Sequence, residues 1–144
     1  MSYLENTCLL AGRLLMGLYF ILPGIGKVVD FAGTSAYMAR HDVPLIPILL
    51  VLTIIIQLAA GTALVVGFRG QWAALLLAML TIAISVFMHN FWAITIEADQ
   101  AHETQNFFKN MGIVAGLLMV SALGTGGFGL DSSWPLGRDD GGQL

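Results

Sequence analysis

The sequence predicts an all-α integral membrane protein, a four-helix bundle, and three observations carry that expectation. Of 144 residues, 57% are hydrophobic and only 10% are charged, where soluble domains carry about 25% charged residues. Mean hydropathy is +0.82, so there is too little charge to clothe a water-soluble globule. The apolar residues gather into four runs, each close to the ~20 residues that cross a bilayer. Lipid offers the backbone no outside hydrogen-bond partner, so runs of this length are helices and not open strands. The same figures rule out disorder and argue against a soluble enzyme domain.

The elements follow in order. The first span, residues 8–27, contains Arg13 and closes on Pro23-Gly24-Ile25-Gly26-Lys27. Its acidic flank at Glu5, its long core and its internal arginine distinguish it from a cleaved signal peptide. It reads as an uncleaved anchor. In the linker that follows, Ser35 to Arg40 suits a short helix lying in the interface, where Tyr37 prefers to sit. The second span, 44–68, opens with Pro44, which is tolerated in a first helical turn. Gly67-Phe68-Arg69-Gly70 is a tight turn, making spans two and three antiparallel neighbours. The third span covers 71–92. The linker to Thr104 carries Glu97, Asp99 and Glu103 and reads as an acidic, water-facing loop. His102 beside them offers hard metal ligands, but a solvated loop accounts for all four. The fourth span covers 105–123. From Gly124 the chain is Gly-rich and then polar, with Arg138, Asp139 and Asp140, and is expected to fray. The membrane domain is thus 1–126 and the polar tail 127–144.

Four spans place both termini and the short turn on one side and the two longer linkers on the other. Arg13, Arg69 and Arg138 fall with the termini, and Lys27, Arg40 and Lys109 fall opposite. That balance does not set the orientation; the acidic loop favours termini in the cytoplasm.

Polar side chains are the informative minority in lipid, where a mid-membrane charge costs roughly 2.5–3.5 kcal/mol on insertion scales. Arg13, Gly17, Phe20, Gly24 and Lys27 recur at helical spacing on span one. Thr53, Gln57, Gly61 and Leu64 do so on span two, Ser85, His89 and Trp92 on span three, and Gln105, Lys109, Gly112 and Gly116 on span four. Small residues let helix backbones approach and polar groups bond between helices, so these stripes should face one another. Topology then gathers Lys27, His89, Asn90, Trp92, Gln105, Lys109 and Asn110 near the mouth on the long-linker side. Gln57 lies deeper, and Arg13 lies toward the opposite end as a structural charge. Each has a plainer role too: the lysines can snorkel, Trp92 can sit in an aromatic belt, and Asn110 and Gln105 can bond free helix-end N–H groups.

Other chemistries are excluded. A net charge of −3 with 6 basic residues leaves no nucleic-acid footprint. One cysteine, Cys8, rules out an intrachain disulfide and any Cys-rich metal or iron–sulfur site. No paired haem histidines, HExxH, phosphate loop or Ser/His/Asp set occurs, and no metal site is expected.

Several ordered motifs together resemble the DoxX family of small bacterial membrane proteins. They are Arg13-Leu-Leu-Met-Gly17 with Phe20 and Pro23-Gly24-Ile25-Gly26-Lys27, then Gly33-Thr-Ser-Ala-Tyr37-Met38, then Gln57-Leu-Ala-Ala-Gly61 with Leu64-Val-Val-Gly67-Phe68. His89-Asn90-Phe91-Trp92 and Asn106-Phe107-Phe108-Lys109-Asn110 with Gly112 and Gly116 complete the set, which spans roughly residues 9–126. The resemblance implies a bacterial inner-membrane protein with a four-helix fold also seen in eukaryotic cargo receptors. Some members are subunits of a thiosulfate:quinone oxidoreductase and others are associated with membrane-bound antioxidant complexes, which implies a redox-linked role near the quinone pool. Relatives often have glutamate where this chain has Gln57, and an amide cannot titrate.

Two expectations of function follow. In the first, the chain is a small subunit of a membrane redox system. His89, Lys109 and Gln57 then bond quinone oxygens, Trp92 or Phe20 stacks on the ring, and His89, an imidazole that changes charge near neutral pH, handles the proton. Lacking an electron carrier of its own, it needs a redox partner subunit. In the second, it is a non-catalytic scaffold, or binds a lipid head group through Lys27 and Lys109. A homo-oligomer is compatible with either.

Overall fold

A computed structural model describes residues 2–132, and the expectation for Arg138, Asp139 and Asp140 lies outside the described residues. Helix α1 runs Tyr3–Val29. Ser2 starts it by accepting a hydrogen bond from the Glu5 N–H (3.2 Å) while its own N–H donates to the Glu5 carboxylate (2.7 Å), a reciprocal cap for two orphan donors. Helix α2, Phe31–Ala39, is the short linker helix, capped by Asp30, whose Oδ1 accepts from the Gly33 N–H at 2.9 Å. Helix α3, Ile46–Val66, has Pro47 in its first turn and ends on Gly67 at φ 71°, a left-handed conformation that glycine adopts without steric cost. Helix α4, Gly70–Met88, follows the tight turn. A single 3-10 turn, Phe91–Ala93, leads to α5, Glu97–Leu123.

Four helices, α1, α3, α4 and α5, are long and apolar enough to cross a membrane. Consecutive spans pack on one another: α1 on α3, α3 on α4, and α4 on α5. The core is Phe20, Ala60, Leu64, Ala73, Ala74, Leu77, Ala78, Val114 and Leu117. Leu15, Leu22, Ile48, Trp72, Met79 and Met119 are exposed instead. In water such a surface would drive aggregation; in a bilayer it is the lipid face, which makes the chain an integral membrane protein.

Small residues set the tightest crossing. A Cβ on Gly17 would come within 2.8 Å of the Gly61 carbonyl oxygen, and one on Gly61 within 3.2 Å of the Gly17 carbonyl oxygen. The buried face of α1 is Arg13, Gly17, Phe20 and Gly24, as the spacing on span one predicts. On α3 it includes Gln57, Gly61 and Leu64.

Elsewhere the structure corrects the sequence reading. The segment 97–104 is not a loop: α5 begins at Glu97, with Glu97 and Asp99 in its first turn, where acids complement the helix dipole. Helix α4 stops at Met88, with His89 as its cap residue, so Trp92 does not continue the Ser85 face. On α5 the buried residues are Asn110, Val114 and Leu117; nothing lies within 4 Å of a Cβ on Gly112. Asn110 selects that face by bonding Ser85 on α4. The described part of the Gly-rich segment, 124–132, is not frayed. The Arg13 guanidinium, 2% exposed, donates to the carbonyls of Thr125 (2.9 Å) and Phe128 (3.2 Å). The Asp131 carboxylate accepts from the N–H groups of Arg69 (2.7 Å) and Gly70 (3.0 Å), and the Gly127 N–H donates to Asn6 Oδ1 at 2.7 Å. This end of the bundle is clasped shut.

Candidate functional site

The opposite end is open. A cavity of about 560 Å³ lies between α1, α2, α3, α4 and α5, on the long-linker side, within the range usual for small-molecule sites. Phe20, Leu50, Ile84 and Met88 supply apolar wall. Lys27, Asp30, Thr34, Tyr37, Thr53, Gln57, Thr81, His89, Lys109 and Asn110 supply the polar wall.

Each polar group is positioned by a local feature. Gln57 approaches α1 because residue 24 is glycine, where a Cβ would sit 3.3 Å from the Gln57 Cβ. It is 5% exposed, and its Oε1 has no hydrogen-bond partner among the described residues. A buried amide oxygen in that state costs about 1–3 kcal/mol, and a ligand donor would remove the cost. Thr81 and Ser85 donate back to the carbonyls of Leu77 and Thr81, each at 2.7 Å. Asn110 donates to the Ser85 hydroxyl at 3.0 Å, so a polar ladder ties α4 to α5 beside the cavity. The Lys27 ammonium has one weak contact, to the Pro23 carbonyl at 3.4 Å, and Lys109 donates to Asn106 Oδ1 at 3.0 Å. Neither lysine pairs with a carboxylate among the described residues.

His89 is held by Glu103, with Nδ1 and Oε2 at 2.6 Å and the two side chains 18% and 16% exposed. The second Glu103 oxygen lies 3.8 Å from Nδ1 of His102, which is solvent-exposed. Tyr37 borders the same region. Burial, and then the negative charge of Glu103, pushes its phenol above the usual tyrosine range, opposed by Arg40, so Tyr37 remains a protonated O–H donor.

Of the residues singled out from sequence, Lys27, Gln57, His89, Lys109 and Asn110 share this cavity, and Asn90, Trp92 and Gln105 are not in its wall. Asn90 precedes the 3-10 turn, where its carbonyl accepts from the Ala93 N–H. Trp92 is exposed and packs edge-on against Phe91 and Phe107 at 5.2 and 6.0 Å, an interfacial aromatic cluster and not a cavity ring. Gln105 faces outward. Arg13 lies in the clasp at the far end.

Glu103, Asp30 and Tyr37 were missed as site residues. For Glu103 a signal existed: it precedes Asn110 by two helical turns, so a helix reaching back past 103 places both on one face. Taking its acidic neighbourhood for a loop hid that register.

The architecture defines a class, the small four-span integral membrane proteins. Within it, residues 8–90 match the DoxX family, and the chain belongs to that family. It is 31% identical over 131 residues to inner membrane protein YqjF of Escherichia coli (strain K12), covering 91% of this chain and 95% of the relative. It is 30% identical over 123 residues to inner membrane protein YphA of the same organism, covering 85% and 87%. No solved structure matches.

Proposed function

We propose that this DoxX-family protein resides in a bacterial inner membrane, termini in the cytoplasm, and binds a lipid-soluble molecule with a quinone-like head in the cavity. It acts there as the ligand-holding subunit of a membrane redox system. The observation that carries the reading is Gln57: a buried amide with an unpartnered oxygen, in the wall of a cavity of about 560 Å³. A purely structural amide at that depth would find a partner on a neighbouring helix. Lys27, Lys109 and Tyr37 add donors suited to ring oxygens, and Phe20 and Met88 provide apolar wall for the ring. One cysteine in the chain leaves electron transfer to a partner subunit.

The test is titration of the purified protein, in nanodiscs under anaerobic conditions, with a benzohydroquinone bearing a decyl tail, whose hydroxyls can donate to Gln57 Oε1. Saturable binding is expected, weakened by Gln57→Leu and by Lys109→Ala. Unsaturable partitioning, identical for both variants, refutes the reading.

A second reading rests on the two lysines without carboxylate partners: the mouth holds an anionic lipid head group. It gains if Lys27→Gln with Lys109→Gln abolishes retention of phosphatidylglycerol while Gln57→Leu does not.

A further inference from the structure

On the reading that the cavity holds a ring-bearing ligand, we propose that His89 and Glu103 form a carboxylate–imidazole dyad that selects the hydroxyl form of that ligand, a hydroquinone or phenol, over its carbonyl or ether form. The observation is the 2.6 Å contact between His89 Nδ1 and Glu103 Oε2, joining the cap residue of α4 to α5.

At that distance one proton lies between the two atoms. An ionised carboxylate accepts it from Nδ1–H, which fixes the tautomer and leaves Nε2 with its lone pair. His89 is in the cavity wall, and Nε2 has no partner among the described residues. Neutral His89 therefore presents an acceptor to a ligand. Gln57 Oε1, also without a partner, presents a second. An O–H group satisfies either one. A carbonyl or ether oxygen sets lone pair against lone pair there and must turn to the donors.

The charged and titratable neighbours are Tyr19 on α1, Lys27 and Asp30 at its end, Tyr37 on α2, and His102, Glu103 and Lys109 on α5. The α3 residues in the wall, Leu50, Thr53 and Gln57, carry no charge. Glu103 is the carboxylate in contact with the ring, and His102, 3.8 Å from its other oxygen, is 71% exposed. A dyad that merely stapled α4 to α5, with Nε2 turned away from the cavity, would give no such selection.

The test uses the full chain in nanodiscs under anaerobic conditions and three probes sharing one decyl tail: a hydroquinone, the matching quinone and the hydroquinone dimethyl ether. The hydroquinone should bind at least about tenfold more tightly than either other probe, as one well-placed hydrogen bond allows. Glu103→Gln should shrink that margin, because an amide can donate to Nδ1 as well as accept from it and so no longer fixes the tautomer. In ¹⁵N-histidine spectra, the His89 signal, identified by its loss in His89→Gln, should show Nδ1 protonated and Nε2 bare. Equal binding of all three probes, or a bare Nδ1, overturns the dyad and leaves the cavity reading standing. Failure of all three probes to bind removes both. Should Glu103→Gln not assemble, the unmodified protein's tautomer and probe ranking decide.

Discussion

Gln57 and Arg13 are both buried polar groups in a lipid-facing bundle, and each leaves one atom unpartnered among the described residues, Gln57 Oε1 and Arg13 Nε, yet only Arg13 is anchored through its other nitrogens. Arg13 is tied to two backbone carbonyls of the closing segment. Truncating one partner of a buried charged hydrogen bond leaves the rest unsatisfied, so Arg13→Ala should cost about 2–4 kcal/mol and loosen residues 124–132. A lowered melting temperature together with new protease cleavage near Gly126 would show it. Gln57 has an unpartnered oxygen, so Gln57→Leu should hold or raise the melting temperature while it weakens ligand binding. A fall in stability comparable to that of Arg13→Ala would mean the amide is structural. The contrast separates a polar residue kept for the fold from one kept for a ligand. Sequence spacing placed both on inward stripes but could not tell them apart, because partnering depends on segments far away in the chain.

Helix crossings and caps decide the next scale. The α1–α3 crossing depends on Gly17 and Gly61, where each Cβ would press on the opposite backbone. Gly17→Val should separate the helices and cost about 1–3 kcal/mol or more, whereas Gly112→Ala, which meets open space, should be neutral or slightly stabilising through helix propensity. Comparing melts of the two variants checks that assignment. Both glycines lie on small-residue stripes, so the pattern alone overpredicts contact. Asp131 acts as a cap supplied from outside the helix, taking the N–H groups at the start of α4. Asp131→Ala should cost about 0.5–2 kcal/mol, as cap removals do, and Asp131→Asn, which keeps an acceptor, less. The spans and the tight turn at Gly67–Gly70 were legible because apolar length and glycine punctuation are local signals. The start of α5 was not, because acidic residues suit a water-facing loop and the first turns of a helix equally well.

For the whole molecule, the bundle has a closed end and an open end. Clasped by Arg13 and Asp131, the terminal side carries structure; the long-linker side carries the cavity and the Phe91, Trp92 and Phe107 cluster. With termini in the cytoplasm, the cavity opens toward the outer face of the inner membrane. In a Cys8→Ser background, an impermeant maleimide added outside spheroplasts should then label Asp99→Cys and not Arg69→Cys. The reverse pattern inverts the orientation. Composition and the length of the apolar runs were enough to determine four helices in lipid, since a bilayer admits few other solutions for such a chain. The family, too, was readable from ordered local motifs. Only the tertiary structure decided which polar groups meet. It brought Glu103 to His89, left Gln57 Oε1 without a partner among the described residues, and folded residues 124–132 onto Arg13, because hydrogen bonds between distant segments depend on helix rotation and ends that one-dimensional spacing does not specify.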